Sequence, residues 1–288
     1  MSSPAPANVG QTVFLNGEFM PIESARVPVL DRGFIFGDGV YDVVPVYGGR
    51  PFRWPQHLAR LERSLSKIRI SNPRSREQWG ELVAELVRRH PWHDQFVYLQ
   101  VTRGVAKRDH AFPKDATPTV FAMSSEFVPL AAQLRERGVA VVTRPDERWL
   151  HCDIKSTSLL GNVLARQEAV DADAFECLMF RDGFLTEGSA SNIWVVRNGT
   201  VFCPPLDNLV LEGIRVGLVG ELCAAAGIPL DVRRVLREEV FAADELMLSS
   251  ATREIVPITR IDGKPVGPGM PGPVYARLFA AYQAAKAG

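Results

Sequence analysis

The stretch Cys152-Asp-Ile-Lys-Ser156 places a lysine amine a few residues ahead of an apolar helical pattern. The turn Thr186-Glu-Gly-Ser189 follows it and places a carboxylate among small residues. The sequence contains six lysines, so an essential amine has few candidate positions. A lysine amine can form an imine with an aldehyde, and a carboxylate beside a ring nitrogen can keep that nitrogen protonated. Lys155 and Glu187 together therefore point to Schiff-base chemistry on a pyridine aldehyde such as pyridoxal phosphate.

The composition is that of an ordinary globular protein. The chain has 288 residues, 46% of them hydrophobic and 23% charged, which is enough for two modest domains. Lys plus Arg and Asp plus Glu both number 33, so no overall charge favours nucleic acid or an anionic membrane. The first residues are polar, and no later run approaches the roughly 20 apolar residues of a membrane span. We expect a cytoplasmic protein with neither nucleic acid nor membrane as a partner.

The cysteines and histidines do not form a metal pattern. The four cysteines lack Cys-x-x-Cys spacing, and the single pair of neighbours, His151 and Cys152, has no further cysteine or histidine close to it, which argues against zinc and against a disulfide framework. His90 and His93 have no third ligand close to them in sequence. We expect free thiols and no metal.

The hydrophobic pattern divides the chain near residue 130. Before it, an Asn16-Gly17 turn within Thr12–Met20 predicts a β-hairpin, and Pro55 opens the first of two helical patterns. Further strands are predicted at 96–102 and 118–123. We expect a smaller α/β domain over 1–130.

The second half mixes helices and strands without a run of βαβ units. The predicted elements are a connection at 129–138, helices at 158–169 and 214–226, and strands at 139–143, 176–180, 193–196 and near Val232 and Leu246. No Gly-x-Gly-x-x-Gly motif follows a strand. We expect a larger α+β domain over 131–288, with a cofactor between the two domains.

Seven short motifs occur in the chain, and both the motifs and their order are similar to those of one known family. They are Phe36-Gly-Asp-Gly-Val-Tyr-Asp-Val-Val, His57-Leu-Ala-Arg-Leu, Val101-Thr-Arg-Gly, Arg108-Asp-His, Cys152-Asp-Ile-Lys-Ser, Leu160-Gly-Asn-Val-Leu-Ala-Arg-Gln-Glu-Ala and Thr186-Glu-Gly-Ser-Ala-Ser-Asn. Together, over residues 12 to 265, they resemble the D-amino-acid aminotransferases among the fold-type IV pyridoxal phosphate enzymes. The resemblance implies a two-domain α+β fold of that type.

The resemblance assigns the cofactor residues. Lys155 would form the aldimine with pyridoxal phosphate and then act as the base, and Glu187 would pair with the pyridine nitrogen. Arg60 would grip the phosphate through a bidentate guanidinium. The start of the helix at Gly213 and Ile214 would complete the phosphate site through backbone N–H groups. Leu211 would pack against the ring.

Two positions depart from the family pattern. Relatives usually carry a threonine at each, whereas this chain has Arg215 and Ala251. We hypothesise that the changes are coupled, with Arg215 supplying charge where the Ala251 position lacks a hydroxyl. Alternatively, Arg215 points to solvent, and Arg60, backbone amides and Ser250 or Thr252 hold the phosphate.

The resemblance also implies a trap for the substrate carboxylate. Tyr41, Arg108 and His110 would form it, with Arg108 and His110 contributed by the neighbouring subunit of a homodimer. A guanidinium and two neutral donors would fix which hydrogen on Cα faces the lysine. Asp42 departs from the glutamate of relatives, and we expect the shorter side chain to weaken its buried charge pairing.

The function implied is transfer of the amino group of a D-amino acid, such as D-alanine, to a 2-oxo acid, such as 2-oxoglutarate. Two alternatives keep the fold: a 4-amino-4-deoxychorismate lyase and a branched-chain L-amino-acid aminotransferase. The trap of Tyr41, Arg108 and His110 favours the D-amino-acid enzyme over both. A third alternative is a pyridoxal phosphate binder that has lost catalysis. The presence of Lys155 and Glu187 argues against it.

Overall fold

The computed structural model describes residues 10–287, which form two compact units. Residues 10–128 together with Ile154–Ser158 form the first unit, and Pro129–Asp153 together with 159–287 form the second. The polar start of the chain, over residues 1–9, lies outside the described residues.

The first unit is built on a six-stranded antiparallel sheet with strand order β2-β1-β6-β5-β3-β4. Its elements are β1 (Thr12–Leu15), β2 (Glu18–Pro21), a 3₁₀ turn (Ile22–Ser24), α1 (Arg32–Phe36), β3 (Gly39–Tyr47), β4 (Arg50–Pro51), α2 (Trp54–Lys67), α3 (Arg76–Arg88), β5 (Gln95–Thr102) and β6 (Thr119–Glu126). The predicted hairpin is confirmed: Leu15 pairs with Glu18, and Asn16 and Gly17 both take positive φ values.

Helices α2 and α3 bury their apolar faces against this sheet. Leu58, Leu61 and Leu65 recur at helical spacing on α2, and all three belong to the core formed with strand residues such as Val44 and Val97. Pro55 lies in the first turn of α2, where its missing N–H costs no hydrogen bond. Both predicted helices are therefore confirmed, and α2 packs against β3.

The Lys155 segment packs with the first unit, whereas the sequence interpretation assigned it to the domain beyond residue 131. Tyr41 on β3 donates its backbone N–H to the carbonyl of Lys155 over 2.9 Å, and Thr157 donates to the carbonyl of Gly39 over 3.0 Å. Val40 and Ser156 form an antiparallel bridge. The segment lies beside the start of β3, whereas β4 pairs with the end of β3. Because of these hydrogen bonds, the segment belongs to the first unit although its neighbours in sequence belong to the second.

The second unit contains a nine-stranded mixed sheet. Its elements are α4 (Ala132–Arg137), β7 (Val139–Pro145), α5 (Leu160–Asp171), β8 (Glu176–Arg181), β9 (Phe184–Gly188), β10 (Asn192–Arg197), β11 (Thr200–Cys203), α6 (Ile214–Ala225), β12 (Leu230–Val232), α7 (Arg237–Phe241), β13 (Glu245–Ser250), β14 (Glu254–Ile261), β15 (Lys264–Pro265) and α8 (Pro273–Ala287). The strand order is β12-β11-β10-β13-β14-β7-β8-β9, with β15 beside β14.

Strand β8 is buried on both faces. Leu178 and Phe180 point into a core shared with β7, β13 and β14, whereas Cys177 and Met179 point to Ala165 and Ala169 of α5. The helix predicted from Ser158 begins at Leu160, and the predicted connection at 129–138 contains the short helix α4. The mixed α+β fold expected for this half is confirmed.

In the part of the chain from 10 to 287, no helix is long and apolar enough to cross a membrane. The same residues contain no group of three or more His, Cys, Asp or Glu side chains placed to hold a metal ion.

Candidate active site

The Lys155 amine lies against Tyr41 in the first unit. Its Nζ donates to the Tyr41 hydroxyl over 3.2 Å and lies 4.2 Å from the centre of the ring. The backbone N–H of Lys155 also donates to the Ser64 hydroxyl of α2 over 3.2 Å. These contacts hold both the side-chain amine and the backbone of Lys155, so the amine points towards the Tyr41 hydroxyl.

Tyr41 is supported by a second tyrosine across the sheet. The rings of Tyr41 and Tyr98 stack with centroids 5.6 Å apart, and the Tyr98 hydroxyl donates to Gln100 Oε1 over 2.6 Å. Burial raises the pKa of Tyr98 to about 12, which keeps the phenol neutral at physiological pH. The Tyr98 ring therefore packs as a neutral phenol against the tyrosine that contacts the lysine.

Asp42, His57 and Arg60 form a buried charge cluster beside Tyr41. Asp42 accepts from Arg60 Nε and Nη2, both over 2.9 Å, and it also lies 2.7 Å from His57 Nδ1. Burial opposes ionisation of Asp42, but the charges of Arg60 and His57 hold its pKa well below its usual range. Although Asp42 is one methylene shorter than a glutamate, its carboxylate contacts both Arg60 and His57.

Arg108 and His110 lie on the exposed loop that joins β5 to β6. The Arg108 guanidinium lies 5.5 Å from the ring centre of Phe36, and the His110 ring centre lies 5.4 Å from it. Within residues 10–287 neither side chain has a hydrogen bond or a ring contact to Tyr41 or Lys155. The structure thus brings Arg108 and His110 together with each other, but not with Tyr41.

Glu187 lies near the end of β9 in the second unit and is 5% exposed. Its Oε1 accepts from Arg148 Nη1 over 2.5 Å, and its Oε2 accepts from the backbone N–H of Leu211 over 3.2 Å. The Asn192 amide donates to the same Oε2 over 3.4 Å. Three donors from different segments therefore hold one carboxylate in a single orientation.

Arg148 is a site residue that the sequence interpretation missed. It binds Asp146 bidentately, with Nε and Nη2 at 2.9 and 2.8 Å, while Nη1 reaches Glu187. Burial raises the pKa of Glu187 to about 7 although Arg148 opposes this. Burial opposes ionisation of Asp146 as well, but hydrogen bonds from Arg148 outweigh it and lower the pKa of Asp146 to about 2. The Glu187 carboxyl is thus poised to change charge near neutral pH.

Gly213 allows a close approach that no other residue would permit. A Cβ atom on Gly213 would lie 2.0 Å from Asn192 Oδ1, well inside van der Waals contact. The space lets the Asn192 amide donate to the carbonyl of Leu211 over 2.9 Å, which ties the loop to Glu187. Gly213 is also the N-cap of α6 and makes no side-chain capping hydrogen bond. Ile214 begins the helix, whose first N–H groups and dipole favour an anion.

The turn at Ser250–Arg253 uses its own hydroxyl groups internally. Ser250 Oγ accepts from the backbone N–H of Arg253 over 3.2 Å and lies 3.4 Å from Thr252 Oγ1. Ala251 sits between them, and Glu254 follows with a positive φ of 62°. The Ser250 hydroxyl therefore holds the turn closed around Ala251, the position at which the family pattern led us to expect a threonine.

A second buried carboxylate joins this turn to the Glu187 strand. Glu176 accepts from the Ser189 hydroxyl, from Ser191 Oγ over 2.9 Å and from Arg253 Nη1 over 2.9 Å. Sequence reasoning missed Glu176, because a lone carboxylate at the start of a strand carries no local signal. Its contacts hold the small-residue turn after Glu187 in place.

Arg215 does not point to solvent, so that alternative is wrong. Its side chain is buried, with 1% of the residue exposed, and its guanidinium lies 5.6 Å from the ring centre of Tyr282. Tyr282 belongs to α8, an element that the sequence did not predict. Packing of α6 against α8 therefore directs the Arg215 side chain inward.

Comparison with known proteins places this chain in a family. Residues 39–261 match the family described as Amino-transferase class IV. The chain is a class IV aminotransferase. It is 38% identical over 271 residues to a D-alanine aminotransferase of Bacillus licheniformis, and the match covers 94% of this chain and 95% of that protein. It is 37% identical to the D-alanine aminotransferase of Staphylococcus aureus strain MSSA476, over 93% of this chain and 95% of that one.

Solved structures show the same fold in this aminotransferase. The branched-chain aminotransferase from the thermophilic archaeon Thermoproteus uzoniensis, solved with norvaline, matches with a TM-score of 0.87 and 28% identity. The match covers 95% of this chain and 93% of that one. The fold-type IV assignment is therefore confirmed.

The residues of this aminotransferase fit pyridoxal phosphate, the cofactor of its class. A buried carboxylate with a pKa of about 7 suits a pyridine nitrogen, with which it can share a proton. The helix start at Gly213 has no capping side chain and suits a phosphate. Lys155, whose Nζ donates to the Tyr41 hydroxyl, carries an amine that could form an imine with the aldehyde.

Proposed function

We propose that this aminotransferase transfers the amino group of a D-amino acid, D-alanine or a similar one, to a 2-oxo acid such as 2-oxoglutarate. The observation that carries the proposal is the difference in identity between two kinds of relative. D-alanine aminotransferases are 37–38% identical over more than nine-tenths of the chain, whereas the Thermoproteus uzoniensis branched-chain enzyme is 28% identical with the same fold.

Lys155 is the base at the substrate Cα. It would bind pyridoxal phosphate at the aldehyde carbon, and its free amine would move the proton that leaves the substrate Cα. The Tyr41 hydroxyl accepts from Nζ over 3.2 Å and so directs the amine. The bound cofactor supplies the electron sink for this chemistry.

Glu187 would pair with the pyridine nitrogen and keep it protonated. Its orientation is set by Arg148, Asn192 and the backbone N–H of Leu211. Because burial makes this carboxyl hard to ionise alone, a cationic pyridinium is a favourable partner for it.

The phosphate is held by hydrogen-bond donors more than by net charge. Arg60 is already neutralised by Asp42, so its guanidinium contributes donors and directionality. The helix start at Gly213 and Ile214 supplies backbone N–H groups. Leu211 would pack against the ring, and Ser250 and Ala251 would lie beside the phosphate.

The coupling of Arg215 with Ala251 stays part of the proposal. Arg215 is buried beside Tyr282, and its positive charge would act on a phosphate bound at the start of α6. Replacing Arg215 with threonine is expected to weaken pyridoxal phosphate binding, as measured by titration of the cofactor absorbance. Unchanged cofactor affinity in Arg215→Thr would overturn the coupling.

Tyr41, Arg108 and His110 bind the substrate carboxylate, the last two from a second copy of the chain. Both are exposed, as expected of residues that serve another subunit. Apolar side chains also lie exposed around the same loop; they include Val27, Val29, Leu30, Phe34, Val105 and Phe112. The backbone of Ala106 donates to Leu30, so these side chains share one region of the first unit. We propose a homodimer that covers this region.

The dimer is tested by sedimentation of Val29→Asp, with Val232→Asp as a matched control for an exposed valine. We expect the first variant to shift to monomer and to lose activity, and the second to behave as the parent. A Val29→Asp protein that stays dimeric would contradict the proposed interface. We also propose a cytoplasmic location, because all four cysteines are free thiols.

Pyruvate formation tests the reaction itself. Purified protein loaded with pyridoxal phosphate receives 2-oxoglutarate and either D-alanine or L-alanine, with Lys155→Ala as the blank. Pyruvate from D-alanine alone is expected. Pyruvate from L-alanine alone, or glutamate from L-leucine, would favour the branched-chain enzyme. A bound cofactor without pyruvate from either isomer would favour the lyase.

A further inference from the structure

Arg32 holds the main chain of the loop that carries Arg108 and His110. It is 3% exposed and belongs to the short helix α1. Its Nη1 donates to the carbonyl of Asp109 over 2.5 Å and to that of Ala111 over 3.4 Å, and its Nη2 donates to the carbonyl of His110 over 3.4 Å. One guanidinium therefore binds three successive carbonyl groups within an otherwise exposed loop.

Asp38 fixes the orientation of Arg32. The Asp38 carboxylate accepts from Arg32 Nε over 2.7 Å and from Arg103 Nε and Nη2 over 2.7 and 2.9 Å. Burial opposes ionisation of Asp38, but hydrogen bonds from Arg103 and Arg32 hold its pKa below the ordinary value. Arg103 also donates to the carbonyl of Ile68, at the end of α2, over 2.7 Å. The Gly37-Asp38-Gly39 turn thus connects the loop to the helical layer of the first unit.

Phe36 holds the side chains of the same loop. Its ring contacts the guanidinium of Arg108 at 5.5 Å, the ring of His110 at 5.4 Å and the guanidinium of Arg32 at 4.8 Å. Arg32 therefore controls the backbone position of the segment while Phe36 limits the directions of its two functional side chains.

We propose that Arg32 is a positioning residue for the substrate-carboxylate trap and that Asp38 orients it. The inference rests on the proposed function, in which Arg108 and His110 bind that carboxylate. A guanidinium recognises a carboxylate through two directed hydrogen bonds, so its position must be set before substrate arrives. An exposed loop without such an anchor would lose conformational freedom on binding, and that loss would reduce affinity.

The test compares Arg32→Lys with Arg26→Lys in the cofactor-loaded enzyme. Lysine keeps a positive charge beside Asp38 but cannot reach three carbonyl groups. Arg26 is a matched control, because it is exposed and also donates to two backbone carbonyls, those of Glu23 and Ala25. Single-turnover reaction is followed by the cofactor absorbance with D-alanine and with D-alaninol, which lacks the carboxylate. Arg108→Ala is measured in parallel.

We expect Arg32→Lys to raise the half-saturating D-alanine concentration about tenfold, the effect of losing charge-assisted hydrogen bonds. Its rate at saturation and its reaction with D-alaninol should match those of Arg26→Lys. If Arg108→Ala is impaired with D-alanine but Arg32→Lys is not, the role of Arg32 is wrong and the proposed function stands. If D-alaninol suffers equally in Arg32→Lys, the residue supports the fold in general and the inference is overturned. If Arg108→Ala binds D-alanine normally, the trap assignment fails and the role of Arg32 with it.

Discussion

Arg148 donates to Glu187 over 2.5 Å, so a buried arginine holds the carboxylate proposed to pair with the cofactor nitrogen. The same guanidinium binds Asp146, which makes Arg148 the centre of a cluster with two acidic partners. The arrangement fixes the direction of Glu187 without fully offsetting the cost of its burial. Its consequences for catalysis, stability and pH dependence can be measured separately.

Replacing Glu187 with glutamine should reduce turnover strongly while the cofactor still binds. The amide keeps the shape of the side chain but cannot stabilise a protonated pyridine nitrogen. Loss of one preorganised electrostatic contact costs about 100-fold in rate or more. The measurement is kcat with D-alanine, together with the cofactor absorbance. Glu147→Gln, whose side chain is 74% exposed, is the matched control and should retain the parent kcat. Parent-like turnover in Glu187→Gln would exclude the proposed role.

Replacing Arg148 with methionine should destabilise the fold by about 3–5 kcal/mol, because it removes the cation that contacts the buried Glu187 carboxylate and the bidentate partner of Asp146, which keeps Arg181 at 3.3 Å. The Arg148 side chain is 6% exposed. Arg88 offers a control, since its side chain is 72% exposed and its ion pair with Glu85 lies on the surface. Arg88→Met should cost less than about 1 kcal/mol. Urea unfolding of both variants measures the difference, and equal midpoints would contradict the prediction.

Stability of the cofactor-free protein should fall as the pH rises from about 4.5 to about 7. Burial raises the pKa of Glu187 from 4.5 to about 7, so the folded protein keeps a proton that the unfolded chain has already lost. The stabilising effect is complete below about pH 4.5 and has disappeared above about pH 7, a change of about 3 kcal/mol. Urea unfolding across this range measures it. This part of the pH dependence should disappear in Glu187→Gln and persist in Glu147→Gln.

Gly213→Ala should weaken cofactor binding about tenfold or more. The added Cβ would meet Asn192 Oδ1 at 2.0 Å and displace the amide that joins Leu211 to Glu187. Gly220 in the same helix is the control, since its Cβ would meet only Leu230 Cδ2, at 3.7 Å. Gly220→Ala should bind cofactor normally and gain up to about 1 kcal/mol of stability from helix propensity. Equal cofactor affinity in the two variants would show that the close approach at Gly213 is not needed.

The sequence by itself determined the secondary structure that depends on residues close together in the chain, such as the first hairpin and helix α2. The Asn16-Gly17 turn requires positive φ values, and the leucines of α2 recur at the spacing of one helix face. Such signals depend on residues within a few positions of one another, so they can be read without knowing the fold. The same holds for Lys155 and Glu187, each of which stands in a short distinctive motif.

Tertiary structure alone decided the partners of those residues. Arg148 and Glu187 are 39 positions apart, and Arg32 and Asp109 are 77 apart, so no local pattern connects either pair. The direction of Arg215 depends on α8, and the place of Lys155 depends on hydrogen bonds to β3. Sequence identified which chemical groups this aminotransferase carries. Folding determined their orientation and charge, because hydrogen bonds and burial between distant segments set both.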